Sequence, residues 1–103
     1  MQKNMNIKLF FITIIILIGT FCRVIKANEL SNLALPCQGC HGPSGKSYGK
    51  SIPSIAGLDK SYIKESLKEY KLGIRKNYIM QIISNGYSDE EIEKIATFFE
   101  KTM

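Results

Sequence analysis

The segment Cys37-Gln38-Gly39-Cys40-His41 places two thiols three positions apart, with an imidazole directly after the second. That spacing is the attachment pattern of a c-type haem. Two thiols on one turn can reach the vinyl groups on one edge of a porphyrin. The adjacent histidine is carried under the ring, where its imidazole can ligate iron. Gly39, Gly42, Pro43 and Gly45 surround the motif, and small residues let backbone approach a flat macrocycle closely. Other uses of these residues fit less well. A zinc site takes about four ligands, but the chain has a single histidine, His41, and no second Cys/His pair. A thioredoxin-type redox pair sits between a strand and a helix, and no strand pattern precedes Cys37. A structural disulfide leaves His41 unexplained. Gly45-Lys46-Ser47 has the ending of a phosphate loop, but the glycine such a loop requires falls on Cys40.

A haem that shuttles electrons is usually held on both faces, and methionine opposite histidine raises the potential. The methionines are Met1, Met5, Met80 and Met103. Met1 and Met5 lie in the N-terminal segment, and Met103 is a chain end prone to fraying. Met80 is internal and is the candidate sixth ligand, making His41 and Met80 the candidate iron ligands. Two alternatives stay open at this point. Met80 can be a core filler beside its isoleucines, and the haem can be five-coordinate and open to a small ligand.

Outward from the motif, the chain divides at about residue 27. Lys3 and Lys8 precede the apolar run Leu9–Ile18, and small residues follow at Gly19 and Ala27. A basic start, an apolar stretch of about ten residues and a small residue soon after form a secretory signal pattern. Cleavage is expected after Ala27, although Ile25 is bulky for such a site. An uncleaved anchor is the alternative, and it is the only route by which this chain would engage a membrane. Residues 1–27 are therefore read as a signal peptide and 28–103 as one haem domain, exported to the periplasm.

The division changes the meaning of the charge. The precursor carries +5, from 14 Lys+Arg and nine Asp+Glu. Lys3, Lys8, Arg23 and Lys26 lie in the leader and no acid does, so residues 28–103 carry +1. Nucleic acid is excluded as a partner on that count. The mature part is 76 residues long, a size at which a core alone is marginal. A bridge between cysteines this close would remove little chain entropy. A bound macrocycle is the better staple.

No strands or repeats are expected. A short helix is read over Asn28–Leu35, capped by Asn28 and ended when Pro36 turns the chain into the haem motif. Gly42–Gly57 reads as a loop. Asp59 should cap a helix over Lys60–Leu72, ended by Gly73. Its apolar stripe is Tyr62, Ile63, Leu67 and Tyr70, and Lys60, Lys64, Lys68 and Lys71 line another face. That row is read as solvated, with an acidic-partner patch as the alternative. Ile79–Ser84 should form a short helix. Ser88 and Glu91 form a capping box for the last one, whose core face is Ile92, Ile95, Ala96 and Phe99. The fold class is all-α, with about three to five short helices around one haem.

The order of these parts resembles the class I c-type cytochromes. The likeness covers essentially all of residues 28–103. It rests on Cys37–Lys46 (CQGCHGPSGK), Ile52–Gly57 (IPSIAG), Tyr62–Gly73 with Arg75, Met80, and Gly86–Phe99 (GYSDEEIEKIATFF). The likeness is to small bacterial monohaem types related to cytochromes c553 and c4, and to the cytochrome subunit of flavocytochrome c sulfide dehydrogenase. The resemblance implies thioethers at Cys37 and Cys40, axial ligation by His41 and Met80, and a carbonyl from the loop at Pro53 bonded to the other nitrogen of His41. It also implies a haem propionate partner at Arg75. The expected function is one-electron transfer between periplasmic redox proteins, without catalytic residues of the chain's own. The partner is expected to be a sulfide-oxidising flavoprotein or, for a free carrier, a terminal oxidase.

Overall fold

The computed structural model describes residues 2–102, with the side chains of 2 and 24–28 outside that description. Among the described residues there are four α-helices, α1 (Gln2–His41), α2 (Lys60–Lys71), α3 (Tyr78–Asn85) and α4 (Asp89–Glu100), with a 3-10 turn at Pro43–Gly45. Among the described residues there are no strands.

α1 departs from the expected boundaries. It does not end at Leu35; it runs through Pro36 to His41. Pro36 cannot donate to the carbonyl four residues back, and its ring crowds that group. The chain on both sides of the proline is nevertheless anchored, because Ala34 is buried in the core and Leu33 and Cys37 pack against it. A local rule about proline yields here to tertiary contact. The expected cap at Asn28 lies outside the described side chains.

The first part of α1 follows a different logic. Lys3–Arg23 is a 21-residue stretch long and apolar enough to cross a membrane, and none of it is buried against the protein. Isoleucine-rich sequence becomes helix where no water is available to pair the backbone. Thr13 and Thr20 return their hydroxyls to the carbonyls of Phe10 and Leu17, at 2.8 and 2.9 Å.

The other helices begin and stop where their caps dictate. Asp59 accepts from the backbone N–H of Ser61 at 2.8 Å and of Tyr62 at 3.3 Å. α2 ends in a Schellman motif: Gly73 has φ +70, its N–H donates to Tyr70 at 3.0 Å, and Ile74 N–H donates to Glu69 at 2.9 Å. Asn77 caps α3 by accepting from Met80 N–H at 3.0 Å. Ser88 and Glu91 form the reciprocal capping box of α4.

The core joins the chain's early and late segments. Ala34 of α1, Ile63 and Leu67 of α2, and Ile92, Ile95, Ala96 and Phe99 of α4 are buried together. The loop after α1 is tied into this core. The Gly45 carbonyl accepts from Ile55 N–H at 2.8 Å and Ala56 N–H at 3.1 Å, and Gly57 N–H donates to Phe99 O at 2.8 Å. Gly45 itself has φ +82, and a Cβ there would sit 2.8 Å from Phe99 Cδ1 and 3.0 Å from Ala56 N. Left-handed backbone and a backbone clash together should make Gly45→Ala cost about 2–4 kcal/mol. Thermal or denaturant unfolding of the haem-loaded protein measures this directly.

The lysine row of α2 is not simply solvated, as its spacing suggested. Glu93 of α4 pairs with both Lys60 and Lys64, the latter at 3.0 Å. Lys71 donates to the Tyr87 carbonyl at 2.6 Å. The row thus ties α2 to α4 and to the turn before it. Hydrogen bonds from Lys60 and then Lys64 hold the Glu93 carboxyl at about 2, well below its ordinary 4.5. A depressed carboxyl pKa contributes stability above the unfolded value and loses it as pH falls towards the folded one. The melting gap between parent and Glu93→Gln should therefore be full at neutral pH and close between about pH 4.5 and 2. Melting curves taken through that range check it; an unchanged gap at the acid end would contradict the assignment.

Candidate functional site

α1 places Cys37, Cys40 and His41 at positions i, i+3 and i+4, which share one helix face. The helix ends at His41, and Gly42 makes the exit turn with φ +87. Neither cysteine is in a disulfide; Cys37 is partly buried and Cys40 exposed. Burial pushes the Cys37 thiol above its ordinary pKa.

All three residues line one mostly apolar cavity. The loop after α1 contributes Ile52, Pro53 and Ile55 to its wall, and α2 contributes Tyr62, Ile63, Ser66, Leu67 and Tyr70. α3 adds Ile79, Met80 and Ile83, and Ile95 and Phe99 of α4 close its base. Arg75 and Asn77 reach it from the link between α2 and α3. The structure therefore brings Cys37, Cys40, His41, Pro53, Arg75 and Met80 to a single space.

The imidazole is oriented. His41 Nδ1 lies 2.7 Å from the carbonyl oxygen of Pro53. A carbonyl only accepts, so Nδ1 carries the proton and donates, and Nε2 is left with a free lone pair. Proline at 53 has no N–H of its own, and the loop around it is closed by Ser47 N–H donating to Ser54 Oγ at 2.9 Å.

Arg75 is also held. Its Nη1 donates to Ser66 Oγ at 2.7 Å and its Nη2 to the Tyr62 hydroxyl at 3.4 Å. The guanidinium stands 5.8 and 5.4 Å from the Tyr62 and Tyr70 ring centroids. Arg75 lowers the Tyr62 pKa, first through that hydrogen bond and then through its charge. Two of five guanidinium N–H groups are engaged, and the others remain for an anion.

Sequence reasoning overlooked Ser66, Asn77 and Tyr87 as parts of this site. Asn77 had a readable signal, a capping residue directly before the apolar Tyr78-Ile79-Met80. Tyr87 had none, since its hydroxyl bonds the Leu33 carbonyl at 3.4 Å across 54 positions.

The donor set suits a covalently held haem. Two thiols on one helix face, an imidazole with one free nitrogen and a thioether converge on an apolar cavity. Among the described residues no group of three or more His, Cys, Asp and Glu could hold a bare metal ion. This combination defines a haem-binding protein of the c type.

Comparison with known proteins agrees. The cytochrome c family profile matches residues 30–102, and the chain belongs to the cytochrome c family. It is 43% identical over 67 residues to the cytochrome subunit of sulfide dehydrogenase from Chlorobaculum tepidum, a match covering 65% of this chain and 60% of that protein. It is 36% identical to the thiosulfate dehydrogenase electron acceptor of Stutzerimonas stutzeri, over 61% of this chain and 31% of that one. It is 31% identical to cytochrome c-553 of Helicobacter pylori, over 76% and 82% of the two chains. The chain thus spans less than two thirds of the first relative and less than a third of the second. Its cofactor is haem c.

Proposed function

We propose that residues 28–103 form a periplasmic monohaem carrier, exported by a signal peptide over residues 1–27. In this reading Cys37 and Cys40 form the thioethers, and His41 and Met80 ligate iron. Arg75 gives its remaining N–H groups to a haem propionate. The observation that carries the reading is the His41–Pro53 bond: it frees Nε2 inside a cavity that also contains Met80. The Pro53 carbonyl fixes the ring and raises its basicity. The apolar wall keeps water from the metal, which supports a higher potential. Haem supplies the redox change when bound; the chain's residues orient it, shield it and carry no proton transfer.

The donor we favour is a dehydrogenase acting on reduced sulfur compounds, because the names of two relatives refer to sulfide and thiosulfate dehydrogenases. A terminal oxidase is the matching electron sink. The test is expression of the full chain in a host competent for c-type haem attachment. Intact mass should show one haem adduct, and redox titration should follow a one-electron curve. Chains without the adduct would overturn the reading. Affinity purification from the native periplasm, with a spectrum of the complex, tests the donor.

A further inference from the structure

The imidazole's partner is a backbone oxygen on a loop, and such an oxygen points only as well as its peptide is held. His41 Nδ1 donates to Pro53 O at 2.7 Å. That oxygen belongs to the Pro53–Ser54 peptide, which is planar, so its direction follows from the dihedrals of the two residues that flank it. On one side the pyrrolidine ring locks φ. On the other side lies Ser54, an exposed residue whose backbone belongs to no helix or strand.

Ser54 is held instead by the opposite limb of the loop. Its Oγ accepts from Ser47 N–H at 2.9 Å. The next residue, Ile55, donates its N–H to Gly45 O at 2.8 Å, and Ala56 donates to the same oxygen at 3.1 Å. The side chain and the backbone after it thus grip residues 45 and 47 together. The receiving limb is ordered in its own right. Ser47 Oγ donates to Gly49 O at 3.1 Å and accepts from Gly49 N–H at 3.3 Å, a local serine turn. Gly45 leaves no room for a Cβ between Phe99 and Ala56 N.

A continuous path therefore runs from the turn at Ser47 through the Ser54 hydroxyl and the Pro53 carbonyl to a ring that faces the cavity. The Ser54 hydroxyl is open to water, so burial does not force its bond across the loop. What that bond does is fix a peptide whose oxygen touches a candidate iron ligand.

Resting on the carrier reading above, we infer that Ser54 is a positioning residue for His41: its hydroxyl, anchored on Ser47 N–H, aims the Pro53 carbonyl at Nδ1 and so sets how strongly the imidazole donates to iron. A ring that shares more of its Nδ1 proton with the carbonyl is the more basic ligand. A more basic ligand favours the more highly charged, ferric state. The hydroxyl at position 54 thus holds the potential down, against the apolar wall that raises it.

The test uses the haem-loaded full chain without a histidine tag. His41 is the only histidine, so isotopically labelled histidine reports a single ring by NMR. In the reduced protein, exchange of the Nδ1 proton with deuterated water should be about fivefold faster in Ser54→Ala than in the parent, the worth of one ordinary hydrogen bond. The potential of that variant should rise, shifting the equilibrium about threefold toward the reduced form, or about 28 mV at 59 mV per tenfold. Ser54→Thr keeps the hydroxyl and should return both readings to the parent's. Lys50→Ala, in the same loop, should change neither. Absorption spectrum and haem mass adduct should be the same in all four proteins. The sign separates aiming from mere loosening, because a slack loop admits water to the cavity and lowers the potential. A fall in potential in Ser54→Ala would make the residue a structural latch and overturn the inference. Unchanged exchange and potential would do the same, as would threonine behaving like alanine, or Lys50→Ala reproducing both shifts. A normal adduct and spectrum with any of these results refutes the role of Ser54 alone; a chain that attaches no haem refutes the carrier reading, and this role with it.

Discussion

Reduced Met80→Ala protein should bind carbon monoxide rapidly and stoichiometrically at neutral pH, whereas the parent should not. Met80 lies on the cavity wall, and its backbone N–H is fixed by Asn77 Oδ1 at 3.0 Å. The N-cap thus sets the first turn of α3 and with it the place from which the thioether reaches into the cavity. Alanine keeps the helix and removes the sulfur. The iron should lose one axial donor, and the potential should fall with it. Absorbance titration with carbon monoxide reads the first effect and a redox titration the second. A parent that binds the gas as readily as the variant would remove Met80 from the ligand set.

The second large effect concerns attachment. Cys37→Ser with Cys40→Ser should yield a chain that gives up haem on a denaturing gel and loses much of its helical signal. The reason is the size of the core. Seven hydrophobic side chains are buried among the described residues, and two of them are alanines. Ile63, Leu67, Ile95 and Phe99 pack with one another but also face the cavity. A macrocycle bound there would cover the exposed cavity-lining side chains of Ile52, Tyr62 and Ile79, so haem binding adds to folding free energy. Haem stain and circular dichroism check the two consequences separately. A double variant that melts like the parent would show that the protein core suffices.

Much of this was legible in sequence because it is local. Ser88 and Glu91 cap α4 three residues apart, and Asp59 caps α2 through its nearest N–H groups; no distant contact is needed to see either. The motif at Cys37–His41 is similarly self-contained. Pro36 misled because its local penalty is real, about 3 kcal/mol in a helix interior, and only the packing of Ala34 and Cys37 outweighs it. The bridging of Lys60 and Lys64 by Glu93 was hidden, since it depends on how α2 meets α4 across some thirty positions of sequence. The same holds for Ser66 beside Arg75. Polar side chains on a helix face look solvated until the neighbouring element is placed.

Four of the seven buried hydrophobic residues belong to α4. A ribosome delivers that helix after α1, α2 and α3. Until Ile92–Phe99 arrives, Ala34 has little to pack against, and the Gly42–Gly57 loop lacks its bond to Phe99 O. The Cys37–His41 segment is therefore synthesised well before the domain that encloses it can close. The late helix works as a timer: the pocket closes only once α4 has been made.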